Sequence, residues 1–296
     1  MKILFVGGIH GDEKTGVNLC RMQGCTYENP YIKKSINGID YGFLIASPRA
    51  CLENVHFLDH NLNDCFGCDD VHEGYEYFLQ KELCKAYGMN SNDFADIVVD
   101  FHTTNADTNL LMFPSLDNVN PNLLTVASDL GITPYYCPND FHGNYCDQYL
   151  GKSGVTIELS CLSNQENMQA LALLGKYVSR LVKAINTPVS FRCIPGLAYS
   201  KTVYYPKNES GYSLFPDCMV SCQTNKISKG EALLINPLNG KIIEKADDEY
   251  IALFMNCPSY YEFGQAMTLA KKSTFDVGDD RIVIRHLKNK DKGNKN

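Results

Sequence analysis

Apolar runs of strand length alternate with apolar stripes of helical spacing through the first 190 residues. Lys2 to Gly7 is an apolar run closed by glycines, and Glu13 to Met22 follows with helical spacing, which predicts a strand, a turn and a helix. Tyr41 to Ser47 and Ala95 to Phe101 read as further buried strands. Between them Tyr75, Phe78, Leu79, Leu83 and Ala86 keep a helical period up to Gly88. Strands at Asn109 to Phe113 and Val155 to Leu159 flank a helix near Pro121 to Leu130. A long helix then starts at Ser163, with Glu166 completing a capping box and Met168, Leu171, Leu174, Val178, Leu181, Val182 and Ile185 forming its apolar stripe. This alternation predicts an α/β fold with a mainly parallel central sheet and helices on both faces.

After Asn186-Thr187-Pro188 the texture changes to short β-rich runs split by Gly, Pro and Asn, such as EALLINPLNGKII. The expected division is a catalytic domain over 1–190, a small C-terminal β domain over 191–275 and a basic, disordered tail over 276–296. From Arg281 onward the tail carries a net charge of +5.

The whole chain of 296 residues carries −7, which argues against a nucleic-acid partner, and no apolar run reaches the ~18 residues of a membrane span. The N-terminus lacks the pattern of a secretory signal, and the 13 cysteines are scattered and odd in number. Reduced thiols and a cytoplasmic location are expected. A single Cys65-x-x-Cys68 has no second pair to make a structural zinc site.

Three short segments carry chemistry. Gly7-Gly8-Ile9-His10-Gly11-Asp12-Glu13 leaves a buried strand through a tight turn, which puts His10 and Glu13 at one open edge; imidazole and carboxylate are good zinc ligands there. Asp100-Phe101-His102 ends a central strand, where open α/β sheets bind ligands, so His102 is a candidate third ligand, with Asp100 on the same side of the strand. Glu158 interrupts the apolar strand of Thr156-Ile157-Glu158-Leu159-Ser160. It reads either as a strand-edge acid or as a general base whose pKa burial raises.

GGIHGDE, Ser47-Pro48-Arg49-Ala50, Asn61-Leu62-Asn63, DFHTT, IELS and Pro258-Ser259-Tyr260-Tyr261-Glu262, in this order and spacing, resemble the aspartoacylase/succinylglutamate desuccinylase family over about residues 1–272. The resemblance implies a carboxypeptidase A-like zinc hydrolase. One Zn²⁺ per chain would be held by His10, Glu13 and His102, Glu158 would be the catalytic base, and Tyr260 would contact substrate. It also implies that Arg49 and Asn63 are retained substrate contacts. His56 aligns with a family arginine placed near the carbonyl oxygen, and Asp64 stands where the family has a carboxylate-binding arginine.

At ~4 Å and an effective dielectric of ~20, reversing that charge is worth several kcal/mol against an acidic substrate. The expected reaction is therefore zinc-dependent hydrolysis of a linear N-acyl amide of an amine or cationic amino-acid derivative. N-acetylaspartate is not the expected substrate. Two other readings compete: a metallocarboxypeptidase acting on short peptides, and a catalytically silent zinc-binding protein. The expected partners are a small-molecule N-acyl substrate and, in a homo-oligomer, further copies of the chain.

Overall fold

The structure is a computed structural model, and it describes residues 1–68, 73–104, 106, 110–114, 119–137, 146–160, 164–207, 218–222, 224–257, 260, 264–278 and 281–286. Strand β1 (Lys2–Gly7) runs parallel to β3 (Ile39–Ile45) on one side and to β4 (Ile97–Thr104) on the other. Next to β4 lies β7 (Gly154–Ser160), also parallel. The C-terminal ends of β1, β4 and β7 therefore meet at one edge, the side on which such sheets bind ligands.

The expectation of a mainly parallel sheet is corrected here, because the sheet is mixed. β2 (Tyr31–Ile36) joins β3 antiparallel, and β5 (Leu111–Pro114) joins β7 antiparallel. β6 (Thr133–Tyr136) lies parallel to β5 and also to the long β8 (Arg192–Tyr204). β8 then pairs antiparallel with β14 (Gln265–Gly278), and β13 (Tyr250–Leu253) and β10 (Lys226–Ile227) follow in turn, each antiparallel to the strand before it. The C-terminal strands thus extend the same sheet, which counts 12 strands among the described residues. A separate sheet of three strands is made by β9 (Met219–Val220), β11 (Ala232–Ile235) and β12 (Ile242–Lys245).

The basic tail is the second correction. Its first part is not unpacked: β14 continues to Gly278, and β15 (Arg281–His286) pairs with it from Gly278 back to Ser273. Ile282 and Ile284 pack on the main core while Val283 points outward, a two-residue alternation that the basic charges conceal in the sequence. Residues 287–296 lie outside the described residues.

Helix α1 (Lys14–Met22) packs on β1 through two glycines; a Cβ on Gly7 would stand 2.4 Å from the carbonyl carbon of Gly16. Gly8 takes φ 75°, which lets the chain turn sharply out of β1 into the residues of the site. Helices α5 (Pro121–Asp129) and α7 (Asn164–Ala184) cover the face that carries Ile97, Val99 and Phe101. The long helix expected at 163–185 is α7; Met168, expected inside its stripe, is exposed, and Ser163 lies outside the described residues. The opposite face is covered by α4 (Tyr75–Tyr87) and the short α6 (Cys146–Tyr149), which close over Leu4, Val6 and Val98. Among the described residues no helix is long and apolar enough to cross a membrane.

Candidate active site

The turn from Gly8 to Glu13 brings two donors to the open sheet edge. His10 and Glu13 face each other, with His10 Nδ1 2.7 Å from Glu13 Oε1. The second carboxylate oxygen, Oε2, lies 3.0 Å from His102 Nδ1 and accepts the backbone N–H of Thr103 at 2.9 Å. One carboxylate thus joins two imidazoles from separate strands. The rear nitrogens of both rings are also engaged: Asn61 Oδ1 is 3.1 Å from His10 Nε2, and Asp100 Oδ2 is 2.8 Å from His102 Nε2. Each ring is held from behind so that its Nδ1 faces the shared carboxylate.

All three donors are largely buried, and their ligand atoms lie within 4.8 Å of one another, so this group could hold a divalent cation. Its electrostatics fit one. Burial works against charge on Glu13, yet His10 and His102 hold its pKa well below the usual carboxylate range. Burial likewise disfavours a charged His102, but Asp100 and Glu13 on either side drive its pKa far up. A carboxylate kept ionised beside two buried imidazoles offers negative charge to a cation.

Glu158 stands opposite His102 in the parallel β4–β7 ladder, so its carboxylate shares the face of the strand that carries Asp100 and His102. Burial, followed by the negative charges of Glu13 and Asp100, pushes its pKa up against the pull of His102. The strand-edge alternative fails on topology, since β7 is flanked by β4 and β5.

His56 stacks on His10, with ring centroids 3.8 Å apart and planes at 18°. Its Nδ1 is 2.9 Å from Asp12 Oδ1, and its carbonyl accepts the Gly11 N–H at 3.0 Å. The segment carrying it is fixed by Glu76, a buried acid on α4 whose carboxylate accepts the N–H groups of Leu58, Asp59 and His60 at 2.8, 3.0 and 3.1 Å. That segment ends in Asn61, which caps α3 (Leu62–Cys65) and holds His10 at the same time.

The remaining sequence candidates divide. Asn63 is buried one residue into α3, and its Oδ1 has no hydrogen-bond partner among the described residues. Asp64 is exposed in the first turn of the same helix. Arg49 is not drawn toward the His10–His102 pair: its Nε meets Glu53 at 2.9 Å and its guanidinium lies over the Tyr75 ring. Tyr260 is half-buried, edge-on to Phe254 at 5.6 Å. It lies three residues after Cys257, whose Sγ is 3.5 Å from Thr104 Oγ1, so the C-terminal region reaches the end of β4 two residues beyond His102. The flanking residues 258–259 and 261–262 lie outside the described residues. His60 turns to Tyr77 on α4.

Sequence reasoning missed the roles of Asp12, Asn61 and Glu76. Asp147, which the sequence places in a polar stretch from Tyr135 to Leu150, is buried on α6; burial and the charge of Asp100 push its pKa up to about 7. An acid next to a candidate ligand was visible as a signal for Asp12, whereas nothing local marks Glu76.

A family model, the succinylglutamate desuccinylase/aspartoacylase catalytic domain, matches residues 1–184. The chain belongs to this family. It is therefore a member of a family of deacylating hydrolases, and the fold agrees. A probable aspartoacylase of Trichodesmium erythraeum is 27% identical over 300 residues, covering 93% of this chain and 98% of that one. Aspartoacylase of Rattus norvegicus is 22% identical and covers 96% of both chains. Among solved structures, murine aminoacylase 3 superposes with a TM-score of 0.76 at 18% identity, covering 96% of this chain and 98% of its own. Succinylglutamate desuccinylase of Vibrio cholerae gives 0.66 at 15% identity, over 96% of this chain and 84% of that one.

Proposed function

We propose that the protein is a zinc-dependent deacylase that hydrolyses a linear N-acyl amide of a small amine or cationic amino-acid derivative. The observation that carries this reading is the triad of His10, Glu13 and His102, with each imidazole braced from behind and Glu158 in register beside His102. The donor set of two imidazoles and one carboxylate suits Zn²⁺ and leaves room for a fourth ligand. When bound there, Zn²⁺ supplies a Lewis acid that polarises the amide carbonyl and acidifies a water.

This chain's residues supply the rest. Glu158, whose pKa burial raises, takes a proton from the attacking water and delivers it to the nitrogen of the leaving amine. In this reading His56 donates from Nε2 to the carbonyl oxygen as it gains charge, while Asp12 accepts from Nδ1. Tyr260, carried to the sheet edge by the Cys257–Thr104 contact, is a substrate-contacting residue in this reading.

Substrate preference rests on charge. Asp64 is an exposed anion beside the buried Asn63, and Arg49 is engaged with Glu53, so neither of these two positions favours a free carboxylate. A cytoplasmic setting fits the cysteines, which are all free among the described residues.

The test is turnover on a panel of N-acyl amines, N-acyl amino acids and short peptides, before and after chelation. The expected result is release of a short acid from N-acyl amines, abolished by chelator and restored by zinc. Release of C-terminal amino acids from peptides instead would make the protein a carboxypeptidase. Zinc without any turnover would make it a binding protein.

A further inference from the structure

Glu13 belongs to two donor groups. Besides its group with His10 and His102, it forms a second with Asp12 and His56, and the ligand atoms of this group also lie within 4.8 Å of one another. We infer that Asp12, Glu13 and His56 form a second divalent-cation site, weaker than the first and sharing Glu13 with it. This inference rests on the first group being the zinc site proposed above.

The second group is built much like the first. In each, an imidazole Nδ1 faces a carboxylate oxygen, at 2.7 Å for His10 and Glu13 and at 2.9 Å for His56 and Asp12. The two imidazoles lie in parallel layers, 3.8 Å apart, one serving each group. His56 is not a loose surface histidine. Its carbonyl is tied to Gly11, and Lys14 Nζ bonds the carbonyls of Gly11 and Cys51 at 2.6 and 2.7 Å, locking the turn to the neighbouring helix. Glu76 holds the chain just beyond. Donor positions fixed by such outer contacts lose little freedom on taking up an ion.

Accessibility ranks the two sites. The side chains of Asp12 and His56 are 44% and 30% exposed, against 12% for Glu13, so the second site opens to solvent while the first is enclosed. One imidazole with two carboxylates, one of them already engaged by the first site, suits zinc or manganese but binds it less tightly than two imidazoles with that same carboxylate.

Equilibrium dialysis of the full chain against rising free Zn²⁺, with bound metal counted by plasma mass spectrometry, tests this. The wild type takes up one equivalent and then, at higher free zinc, a second. Asp12→Asn and His56→Gln each stop at one; if Asp12→Asn also disturbs the first equivalent, His56→Gln decides alone. A wild type that saturates at one, or a His56→Gln variant that still takes two, overturns the second site. A wild type that binds no zinc at all overturns the first site as well, which separates the two failures.

Discussion

Asp100 Oδ2 lies 2.8 Å from His102 Nε2 at the fully buried end of β4, and this contact decides which nitrogen of His102 faces Glu13. Cys146 Sγ also donates to that carboxylate oxygen, at 3.3 Å, so Asp100 is itself fixed. Asp100→Ala should keep the donors but release the ring. Zinc affinity is expected to fall about 10–100-fold, read by competition with a chromogenic chelator.

In the proposed mechanism, holding the metal and moving the proton are separable roles. His102→Ala and His10→Ala should lose zinc and activity together. Glu158→Gln should retain the zinc of the wild type, with kcat reduced about 10²–10⁴-fold and KM little changed. Metal analysis beside steady-state kinetics checks both, and loss of zinc from Glu158→Gln would deny it the role of base.

Charge at the start of α3 should govern preference. Because Asp64 is exposed, its field is screened, and Asp64→Arg should shift kcat/KM toward acidic over cationic N-acyl substrates by about tenfold, or ~1.4 kcal/mol. Competition between paired substrates measures the shift. An unchanged ratio would place Asp64 away from the substrate.

Glu76 ties three backbone N–H groups in the segment between His56 and Asn61. Glu76→Ala leaves those donors without their acceptor and should cost about 3 kcal/mol in denaturant unfolding. The same variant should weaken zinc binding through Asn61, the residue that braces His10.

Asp147 gives the fold a pH dependence of known sign. Burial first, then the charge of Asp100, raise its pKa to about 7 in the folded chain, above the ~3.9 of an unfolded aspartate. The folded state therefore binds more protons between pH 4 and 7, and the protein loses stability as pH rises through that window, by up to about 4 kcal/mol. Asp147→Asn should remove this slope and be more stable than the wild type at pH 8, as measured by unfolding at pH 5 and pH 8.

The grouping of His10, Glu13, His102 and Glu158 was legible because these residues are local in sequence or close a strand. His10 and Glu13 share one turn, and His102 and Glu158 end neighbouring strands whose apolar runs were plain. What joins separate segments was not legible. Phe78 fits the apolar stripe of α4 yet is exposed, while Glu76, which breaks the stripe, points inward to bind the backbone of a distant loop. The mixed sheet escaped for the same reason: apolar alternation shows that a strand forms but not which neighbour it pairs with, and β5 lies antiparallel to β7. β15 was hidden because Arg281 and Arg285 flank the alternating Ile282-Val283-Ile284.

Anomalous diffraction at the zinc absorption edge, from crystals of protein purified without chelator, reaches the central claim most directly. The account predicts one strong peak bonded to His10, Glu13 and His102, with Glu158 facing it. Crystals that show these side chains in place, grown with zinc in the buffer and carrying no peak among them, would contradict it.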